Sequence, residues 1–283
     1  MPLPEHATAR PIVVRPDKTL IMGILNITPD SFYDGGRWNA PEQAVAHARS
    51  LEADGADILD LGAESSRPGS NPVSPEEEQA RLLPVLDAVL DAVDIPISID
   101  TWRADTAQQA LERGASMIND ISGLRMDPEM PGVVAAWDCP CVVMHMQGQP
   151  KTMQQNPVYE DVVEDICRYF EARLEDLQAQ GVRRERIWLD PGFGFGKTVE
   201  HNLEIMRRLG EFKRLGQPLM LGSSNKATIG AVLNEAPPSE RMEGTAATVA
   251  LGIAQGVDAV RVHDVKAMAR VAAMSDAILR GRT

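Results

Sequence analysis

The chain has 283 residues, 43% of them hydrophobic, and a formal net charge of −13 at pH 7. The negative charge and the lack of a Lys/Arg-rich block argue against nucleic-acid binding, and no apolar run approaches the roughly 20 residues that cross a bilayer. We therefore expect neither a nucleic-acid nor a membrane partner.

The N-terminal segment and the cysteines predict a cytoplasmic protein. Residues 1–17 show no apolar segment typical of a secretory signal, so we expect an N-terminal extension over 1–17 and a single domain over 18–283. The three cysteines are an odd number, which is a poor disulfide framework. We predict that they are reduced thiols; they are Cys139, Cys141 and Cys167.

Eight short apolar runs predict β-strands. Most lack a polar/apolar alternation, which is typical of strands buried on both faces of a parallel sheet. The runs cover residues 20–25, 57–61, 96–99, 116–119, 141–145, 186–189, 218–221 and 258–262.

Helical segments between the runs complete a repeating strand–helix pattern. Gly55, Gly114 and Gly256 stand where a glycine typically ends a helix. At about 35 residues per unit, the pattern predicts an α/β fold, a single (β/α)8 TIM barrel. A doubly wound open sheet is the alternative, because strand order is not visible in the sequence. Helices are predicted at 40–54, 75–93, 103–113, 128–137, 157–180, 199–215, 240–255 and 265–280.

Polar residues follow most of the apolar runs. In a parallel barrel these positions lie at the C-terminal ends of the strands, where active sites of such barrels are built. Any single one could be an ordinary polar loop residue, but the set predicts a functional site. Its members are Asn26, Glu64, Asp100, Asn119, His145, Asp190, Ser223, Ser224, Arg261 and His263.

The glycine-rich segment DPGFGFGKT (190–198) looks like a nucleotide-binding loop but matches no such motif. A phosphate-binding loop requires glycine where Pro191 stands, and proline has no N–H to donate. The Gly-x-Gly-x-Gly spacing also differs from the dinucleotide fingerprint. We predict instead a sharp turn past a ligand, with Phe193 and Phe195 offering flat faces and Lys197 a positive charge.

Seven segments, in order along the chain, together resemble the motifs of the dihydropteroate synthases. The resemblance implies a single-barrel transferase of folate biosynthesis. Such an enzyme condenses 6-hydroxymethyl-7,8-dihydropterin pyrophosphate with 4-aminobenzoate to 7,8-dihydropteroate and pyrophosphate, and is a sulfonamide target. The segments are GILNITPDSFYDGG (23–36), GAESSRPGS (62–70), SIDT (98–101), INDISG (118–123), VVMHMQGQPKTMQ (142–154), DPGFGFGK (190–197) and RVHDV (261–265).

The resemblance implies that Asp100, Asn119, Asp190 and Lys226 form the pterin pocket, with Phe193 at its border. One edge of a pterin presents an N–H and an NH2 group, which a carboxylate can accept as a fork, and Asp190 is assigned to that pair. Lys226 is assigned to the pterin carbonyl or a ring nitrogen. Alternatively, Asp100 and Asp190 cap helix N-termini and Lys226 is an ordinary solvated lysine.

The resemblance further implies that Asn26, Arg261 and His263 bind the pyrophosphate, with Asn26 also contacting Mg²⁺. Mg²⁺ commonly binds through few protein ligands together with phosphate oxygens and waters. The amine nucleophile is neutral at pH 7 and needs no strong base. We therefore expect an SN1-like path in which pyrophosphate leaves first and positioned cations stabilise its charge.

Two polar loops, 28–38 and 64–72, are long enough to move and too polar for the core. By resemblance, they close over the site and form the 4-aminobenzoate pocket. Phe32 and Pro68 are assigned to flank the ring, and Ser66 and Arg67 to support the loop.

The chain departs from the family pattern in SSNKAT (223–228). The family usually has arginine where Asn225 stands, and a serine that binds the aminobenzoate carboxylate where Ala227 stands. Losing one hydrogen bond to a charged group costs about 1.5–3 kcal/mol. We therefore expect weaker binding of 4-aminobenzoate and altered sulfonamide sensitivity. Ser66 for the usual threonine is a milder change.

Two other functions stay open at this point. One is a pterin-dependent barrel of the corrinoid methyltransferase type, which would need no diphosphate site. The other is a pterin-binding paralogue that has lost turnover. The resemblance also implies a homodimer, for which the Ala- and Met-rich segment 265–279 is a candidate interface, although such a stripe is more often core.

Overall fold

The structure, a computed structural model, describes residues 9–27, 33–34, 37–38, 40–64, 73–149 and 151–281. Ten strands and nine α-helices are assigned within these ranges. The strands are β1 (Leu20–Asn26), β2 (Tyr33–Asp34), β3 (Arg37–Trp38), β4 (Ile58–Gly62), β5 (Ile97–Asp100), β6 (Met117–Asp120), β7 (Cys141–Met144), β8 (Ile187–Asp190), β9 (Met220–Leu221) and β10 (Ala259–Val262). The helices are α1 (Ala40–Ala53), α2 (Pro75–Leu90), α3 (Ala104–Arg113), α4 (Met130–Trp137), α5 (Val162–Ala179), α6 (Val199–Arg207), α7 (Ala227–Val232), α8 (Met242–Ala254) and α9 (Val265–Leu279).

Eight of the strands form one parallel sheet in the order β8-β7-β6-β5-β4-β1-β10-β9. A parallel bridge between Leu189 and Leu219 joins the two outer strands of this order, so that the sheet closes on itself. The predicted single (β/α)8 TIM barrel is confirmed, and the open doubly wound sheet is not formed. Strands β2 and β3 pair separately as a short antiparallel hairpin.

Alternate side chains of the strands fill two separate cores. Those that face the barrel axis form a small buried cluster, against which Ile12 and Val14 of the N-terminal segment pack. Those that face outward join the helices in a much larger apolar core. The inner cluster comprises Leu20, Met22, Ile58, Met117, Val142, Trp188, Met220 and Ala259.

Helix ends follow local sequence signals where these are strong. Gly55, Gly114 and Gly256 have φ angles of 104°, 111° and 91°, which confirms the predicted glycine-terminated helices. Helix α5 begins at Val162 rather than at residue 157, because the Asp161 side chain accepts hydrogen bonds from the N–H groups of Val163 and Glu164.

The helix predicted over 199–215 is interrupted. Helix α6 ends at Arg207, and a 3₁₀ helix covers Leu209–Leu215. The Gly210 N–H donates to Oε1 of Gln255, 3.1 Å away, instead of to the preceding turn. Helix α7 is an addition to the predicted set. None of the described helices is both long and apolar enough to span a membrane.

Candidate active site

A cavity of about 970 Å³ opens at the C-terminal ends of the barrel strands. It collects most of the residues that the sequence pattern singled out, although they are far apart along the chain. Strand-end residues on its wall are Asn26, Glu64, Asp100, Ser224, Lys226, Arg261 and His263.

An ion-pair cluster joins three strands at the floor of this cavity. The Arg261 side chain donates from Nε to Oδ2 of Asp60 at 2.6 Å and from Nη2 to Oδ2 of Asp100 at 2.8 Å. Oδ2 of Asp60 also accepts from Nδ2 of Asn119 at 2.9 Å. Three of the predicted site residues, Asp100, Asn119 and Arg261, are therefore brought together.

The carboxyl of Asp100 is subject to opposing effects on its pKa. Burial raises its pKa to about 7, opposed by the positive charge of Arg261 and reinforced by the negative charge of Asp60. Helix α3, which follows Asp100, has Arg103 as its N-cap residue and no side-chain capping bond. Helix capping, the alternative role for Asp100, is therefore wrong.

Asp190 lies at the end of β8, 5% exposed. Its Oδ1 accepts from the Gly192 N–H at 2.8 Å. Burial raises the pKa of Asp190, while the Gly192 N–H and the positive charge of Lys226 act in the opposite direction. Helix α6 is capped by Thr198, not by Asp190. Capping is excluded here too, and Asp190 is a buried carboxylate near Lys226.

Lys226 immediately precedes helix α7. Its Nζ lies 4.0 Å from the ring centre of Phe195, which lines the cavity, so the ammonium is held over an aromatic face. Phe193, predicted at the border of the pterin pocket, is 1% exposed and packs in the outer apolar core. The cavity is lined instead by Phe195, two residues on.

Two glycines of DPGFGFGKT allow this turn to pack closely against the loop that follows strand β7. Gly192 has φ of 70°, and a Cβ at this position would lie 1.9 Å from the carbonyl oxygen of His145. At Gly196, with φ of 61°, a Cβ would lie 2.6 Å from the carbonyl oxygen of Gln147. These contacts explain why this turn requires glycine without any phosphate ligand.

Lys197 holds the same two loops together. It is 3% exposed. Its Nζ donates to the carbonyl oxygens of Phe195 and His145, at 2.9 and 3.3 Å, and lies 3.0 Å from Nδ1 of His145. Burial lowers the pKa of Lys197. The Lys197 ammonium, which the sequence suggested for a ligand, therefore binds mainly to groups of the two loops.

His263 and Asn26 occupy the opposite wall. Nδ1 of His263 lies 3.0 Å from Oγ of Ser224, and the His263 N–H donates to the same oxygen at 3.2 Å. Asn26 ends strand β1 and is half-buried on the cavity wall. Both side chains line the same cavity as Arg261, and their binding of pyrophosphate stays a prediction.

Helix α7 is fixed to the rest of the site by two polar side chains. Asn202, 1% exposed, donates from Nδ2 to Oγ1 of Thr228 at 2.9 Å and accepts from the Gly194 N–H at 2.8 Å. Arg241 donates to the carbonyl oxygens of Asn225 and Ala236, one on each side of the helix. The helix that carries the unusual Ala227 is therefore held at both ends.

Comparison with known proteins identifies the family. The profile described as "Pterin binding enzyme" matches residues 22–263. The dihydropteroate synthase of Synechocystis is 47% identical over 263 residues, covering 93% of this chain and 91% of that protein. The corresponding enzyme of Bacillus subtilis is 46% identical over 263 residues, covering 93% and 90%. The chain belongs to the dihydropteroate synthase family.

Solved structures of dihydropteroate synthases have the same fold. The enzyme from Clostridium difficile, solved in the presence of pteroic acid, aligns with a TM-score of 0.90 and 47% identity, covering 95% of this chain and 100% of that chain. The Xanthomonas albilineans enzyme with 4-aminobenzoic acid aligns with a TM-score of 0.87 and 38% identity, covering 93% of each chain. Dihydropteroate synthases are transferases of folate biosynthesis, and the chain is assigned to that class.

Not every residue assigned by resemblance to the dihydropteroate synthases can be placed. The four that were expected to form the aminobenzoate pocket lie outside the described residues. Their roles stay predictions. They are Phe32, Ser66, Arg67 and Pro68.

Asp60 is a site residue that was not predicted. The predicted residues stand at or just after the end of an apolar run, whereas Asp60 lies within the run DILDL (57–61). A charged residue within an otherwise apolar strand is itself a signal, because a buried carboxylate requires a partner. Arg261, on a strand adjacent to β1, is that partner.

Proposed function

We propose that this chain condenses 6-hydroxymethyl-7,8-dihydropterin pyrophosphate with 4-aminobenzoate, releasing pyrophosphate. One observation carries the proposal: Asp100, Lys226 and Arg261, from three different strand ends, line one cavity of a size suited to two small substrates. Asn119 pairs with Asp100 in the sheet, and the carboxylate of Asp190 is electrostatically coupled to Lys226 and Arg261.

The buried carboxylates recognise the pterin. Asp190 is buried close to Lys226, and its Oδ2 together with the remaining lone pair of Oδ1 can accept from the N–H and NH2 groups of the pterin edge. Lys226 can then donate to the pterin carbonyl from its position over Phe195. Hydrogen bonds made inside a dry cavity are stronger than the same bonds in water, which suits a ligand with many polar atoms.

The cationic wall promotes departure of the diphosphate. As the C–O bond breaks, negative charge accumulates on the leaving group, and Arg261 with His263 stabilises it. The carbon left behind is a methylene attached to the pterin, whose ring can carry positive charge. The amine of 4-aminobenzoate then attacks. This order needs no general base, and the residues supply orientation and electrostatic stabilisation.

Asn26 suits a contact to Mg²⁺ that is held mainly by substrate. No group of three or more His, Cys, Asp or Glu side chains able to hold a metal occurs in the described part of the chain. One amide oxygen on the cavity wall fits an ion that takes most of its ligands from phosphate oxygens and waters. Mg²⁺ so bound would neutralise charge on the diphosphate, while Asn26 would orient it.

The surface of helix α7 is the proposed site of the 4-aminobenzoate carboxylate. Ala227 and Thr228 both line the cavity there. The hydroxyl oxygen of Thr228 already accepts from Asn202, so Thr228 replaces the missing serine only in part. The resemblance assigns the ring to Phe32 and Pro68, and the support of the loop to Ser66 and Arg67.

We also propose that two copies of this chain pair through helices α8 and α9. Met274 and Ile278, one turn apart on α9, are 63% and 69% exposed, and Leu251 on α8 is 59% exposed. A patch of large apolar side chains of this kind is typical of a subunit interface. The cysteines are buried and unpaired, which is typical of a protein from the reducing cytoplasm.

A direct assay tests the proposed reaction. The chain is incubated with the pterin pyrophosphate, labelled 4-aminobenzoate and Mg²⁺, and the products are separated. Labelled dihydropteroate is expected, and chelation of Mg²⁺ should abolish its formation. A methyltransferase-type barrel or a paralogue that only binds pterin would form none, and that result would overturn the proposal.

A further inference from the structure

Asp60 is a fully buried carboxylate beneath the cavity. It lies on β4 opposite Ser98 of β5 and is 0% exposed. Its side chain lies on the same strand face as Ile58, which belongs to the apolar inner core. Asp60 does not line the cavity, so any effect on substrate must pass through the residues that it touches.

One oxygen of Asp60 makes all of its described hydrogen bonds. Oδ2 accepts from Nε of Arg261 at 2.6 Å and from Nδ2 of Asn119 at 2.9 Å. Oδ1 is buried without a partner among the described residues. This carboxylate thus reaches two of the residues proposed to bind the two ends of the same substrate.

The contact with Arg261 fixes a long side chain. Arginine loses close to 2 kcal/mol of rotamer entropy when it is immobilised. Asp60 and Asp100 hold Nε and Nη2, so this cost is met before substrate binds. Neither bond uses Nη1, and Arg261 also lines the cavity. A guanidinium held in this way needs little rearrangement when the diphosphate departs.

The contact with Asn119 fixes the direction of an amide. An ionised carboxylate can only accept hydrogen bonds, so Asn119 must turn its NH2 group toward Asp60. Its carbonyl oxygen is then left for another donor. Asp60 therefore makes Asn119 a hydrogen-bond acceptor for an N–H group of the pterin.

Stability alone does not account for Asp60. Replacing a buried ion pair by apolar residues of similar volume is often neutral or stabilising, and the next layer into the barrel, with Ile58 and Met117, is apolar. We propose that Asp60 is a positioning residue of the reaction, which orients the Arg261 guanidinium toward the diphosphate and the Asn119 amide toward the pterin. This inference rests on the proposed function.

The variant Asp60→Asn tests the proposal, because it keeps the shape of the side chain and removes its charge. We expect kcat/KM for the pterin pyrophosphate to fall roughly 10- to 100-fold, because small displacements of reacting groups lower the rate by about this much. The KM for 4-aminobenzoate should not change, since Asp60 touches no residue of helix α7. Wild-type values for both substrates would overturn the proposal.

Ser98→Ala is the matched control. Ser98 is also 0% exposed, lies opposite Asp60 in the sheet, and its Oγ has no partner among the described residues. Its removal should leave both kinetic constants unchanged. A loss equal to that of Asp60→Asn would show that any disturbance of this layer impairs the site, and would contradict a specific role for Asp60.

A double-mutant cycle separates positioning from a general structural role. In an Arg261→Gln background, Asp60→Asn should cost clearly less than it does alone, because only its contact with Asn119 remains to be lost. Losses that multiply would contradict the proposal. If Asp60→Asn alone does not fold, the comparison of Arg261→Gln with the double variant still applies, since the double variant removes both charges of the pair.

Failure of the proposed function would look different. In that case the wild-type chain itself would form no dihydropteroate. Failure of the positioning role requires an active wild-type enzyme and an equally active Asp60→Asn variant.

Discussion

The ammonium of Lys226 lies 4.0 Å from the ring centre of Phe195, whereas Phe193, two residues earlier, is buried in the outer core. The two aromatic residues of one turn therefore have separate tasks. Phe195 lines the cavity beside Lys226, and Phe193 packs the turn against the outer core of the barrel.

Leucine substitutions at these two positions should affect different properties, substrate binding at Phe195 and stability at Phe193. A cation–π contact contributes about 0.5–2 kcal/mol, so Phe195→Leu should raise the KM for the pterin pyrophosphate roughly 2- to 30-fold with little change in melting temperature. Phe193→Leu should lower the free energy of unfolding by about 1–2 kcal/mol, and with it the melting temperature, and should leave that KM unchanged. Steady-state kinetics and thermal melting check both, and the reverse pattern would contradict the assignment.

Ala227→Ser should improve the binding of 4-aminobenzoate. A hydroxyl at this position faces the cavity, and a hydrogen bond to a charged group contributes about 1.5 kcal/mol or more, which lowers the KM for 4-aminobenzoate roughly tenfold. Ala231→Ser, one helical turn further along the cavity wall, is the control and should change this KM little. An unchanged KM in Ala227→Ser would show that the aminobenzoate carboxylate binds elsewhere.

The activity should depend on the protonation of Asp100. Burial raises its pKa to about 7, so the carboxylate is lost as the pH falls through 7. If the ionised form binds the pterin, kcat/KM for the pterin pyrophosphate should fall about tenfold per pH unit below that value. The Asp100→Asn variant should be less active and should lack this step. The same step in the variant would assign it to another group.

The raised pKa of Asp100 should also make the stability of the folded chain depend on pH. The pKa of Asp100 lies above its ordinary value of 3.8, so the folded state binds this proton more tightly than the unfolded state. The contribution of Asp100 to stability is therefore present at low pH and is lost as the pH rises through 7. Relative to wild type, Asp100→Asn should gain stability in denaturant titrations at pH 8, and the gain should shrink below pH 7. A stability gain of Asp100→Asn that increases as the pH falls would contradict the predicted direction of the effect.

The turn at Gly192 should tolerate no side chain. A Cβ there would meet the carbonyl oxygen of His145 at 1.9 Å, and the φ of 70° disfavours other residues. Gly192→Ala should lose stability by about 3 kcal/mol or more. Gly132→Ala, in helix α4 with open space at the added Cβ, should instead gain about 0.5–1 kcal/mol. Chemical denaturation of both variants distinguishes local crowding from a general intolerance of alanine.

The barrel and most of its strand-end residues could be predicted from the sequence. A parallel sheet brings the ends of its strands to one edge, so Asp100, Asp190 and Arg261 were expected near each other before any contact was known. Sequence motifs extended this to Lys226, which follows a very short strand.

The remaining parts depend on contacts that sequence patterns do not contain. Whether Phe193 or Phe195 faces the cavity depends on the backbone of this turn, where the intervening Gly194 has a positive φ angle of 83°. Burial of Lys197 depends on a loop that carries His145, more than fifty residues away. Helix α7 has six residues, too few for a periodic apolar pattern to predict it.

In the proposed reaction, fixed cations stabilise the diphosphate as it leaves, before the amine attacks. A pterin pyrophosphate deuterated at its reacting methylene tests this order, by its kcat/KM relative to the undeuterated substrate under conditions where chemistry limits the rate. We expect the deuterated compound to react more slowly, since the carbon becomes planar and cationic before the new bond forms. Equal rates would indicate attack by the amine during departure of the diphosphate, and would contradict the proposed order.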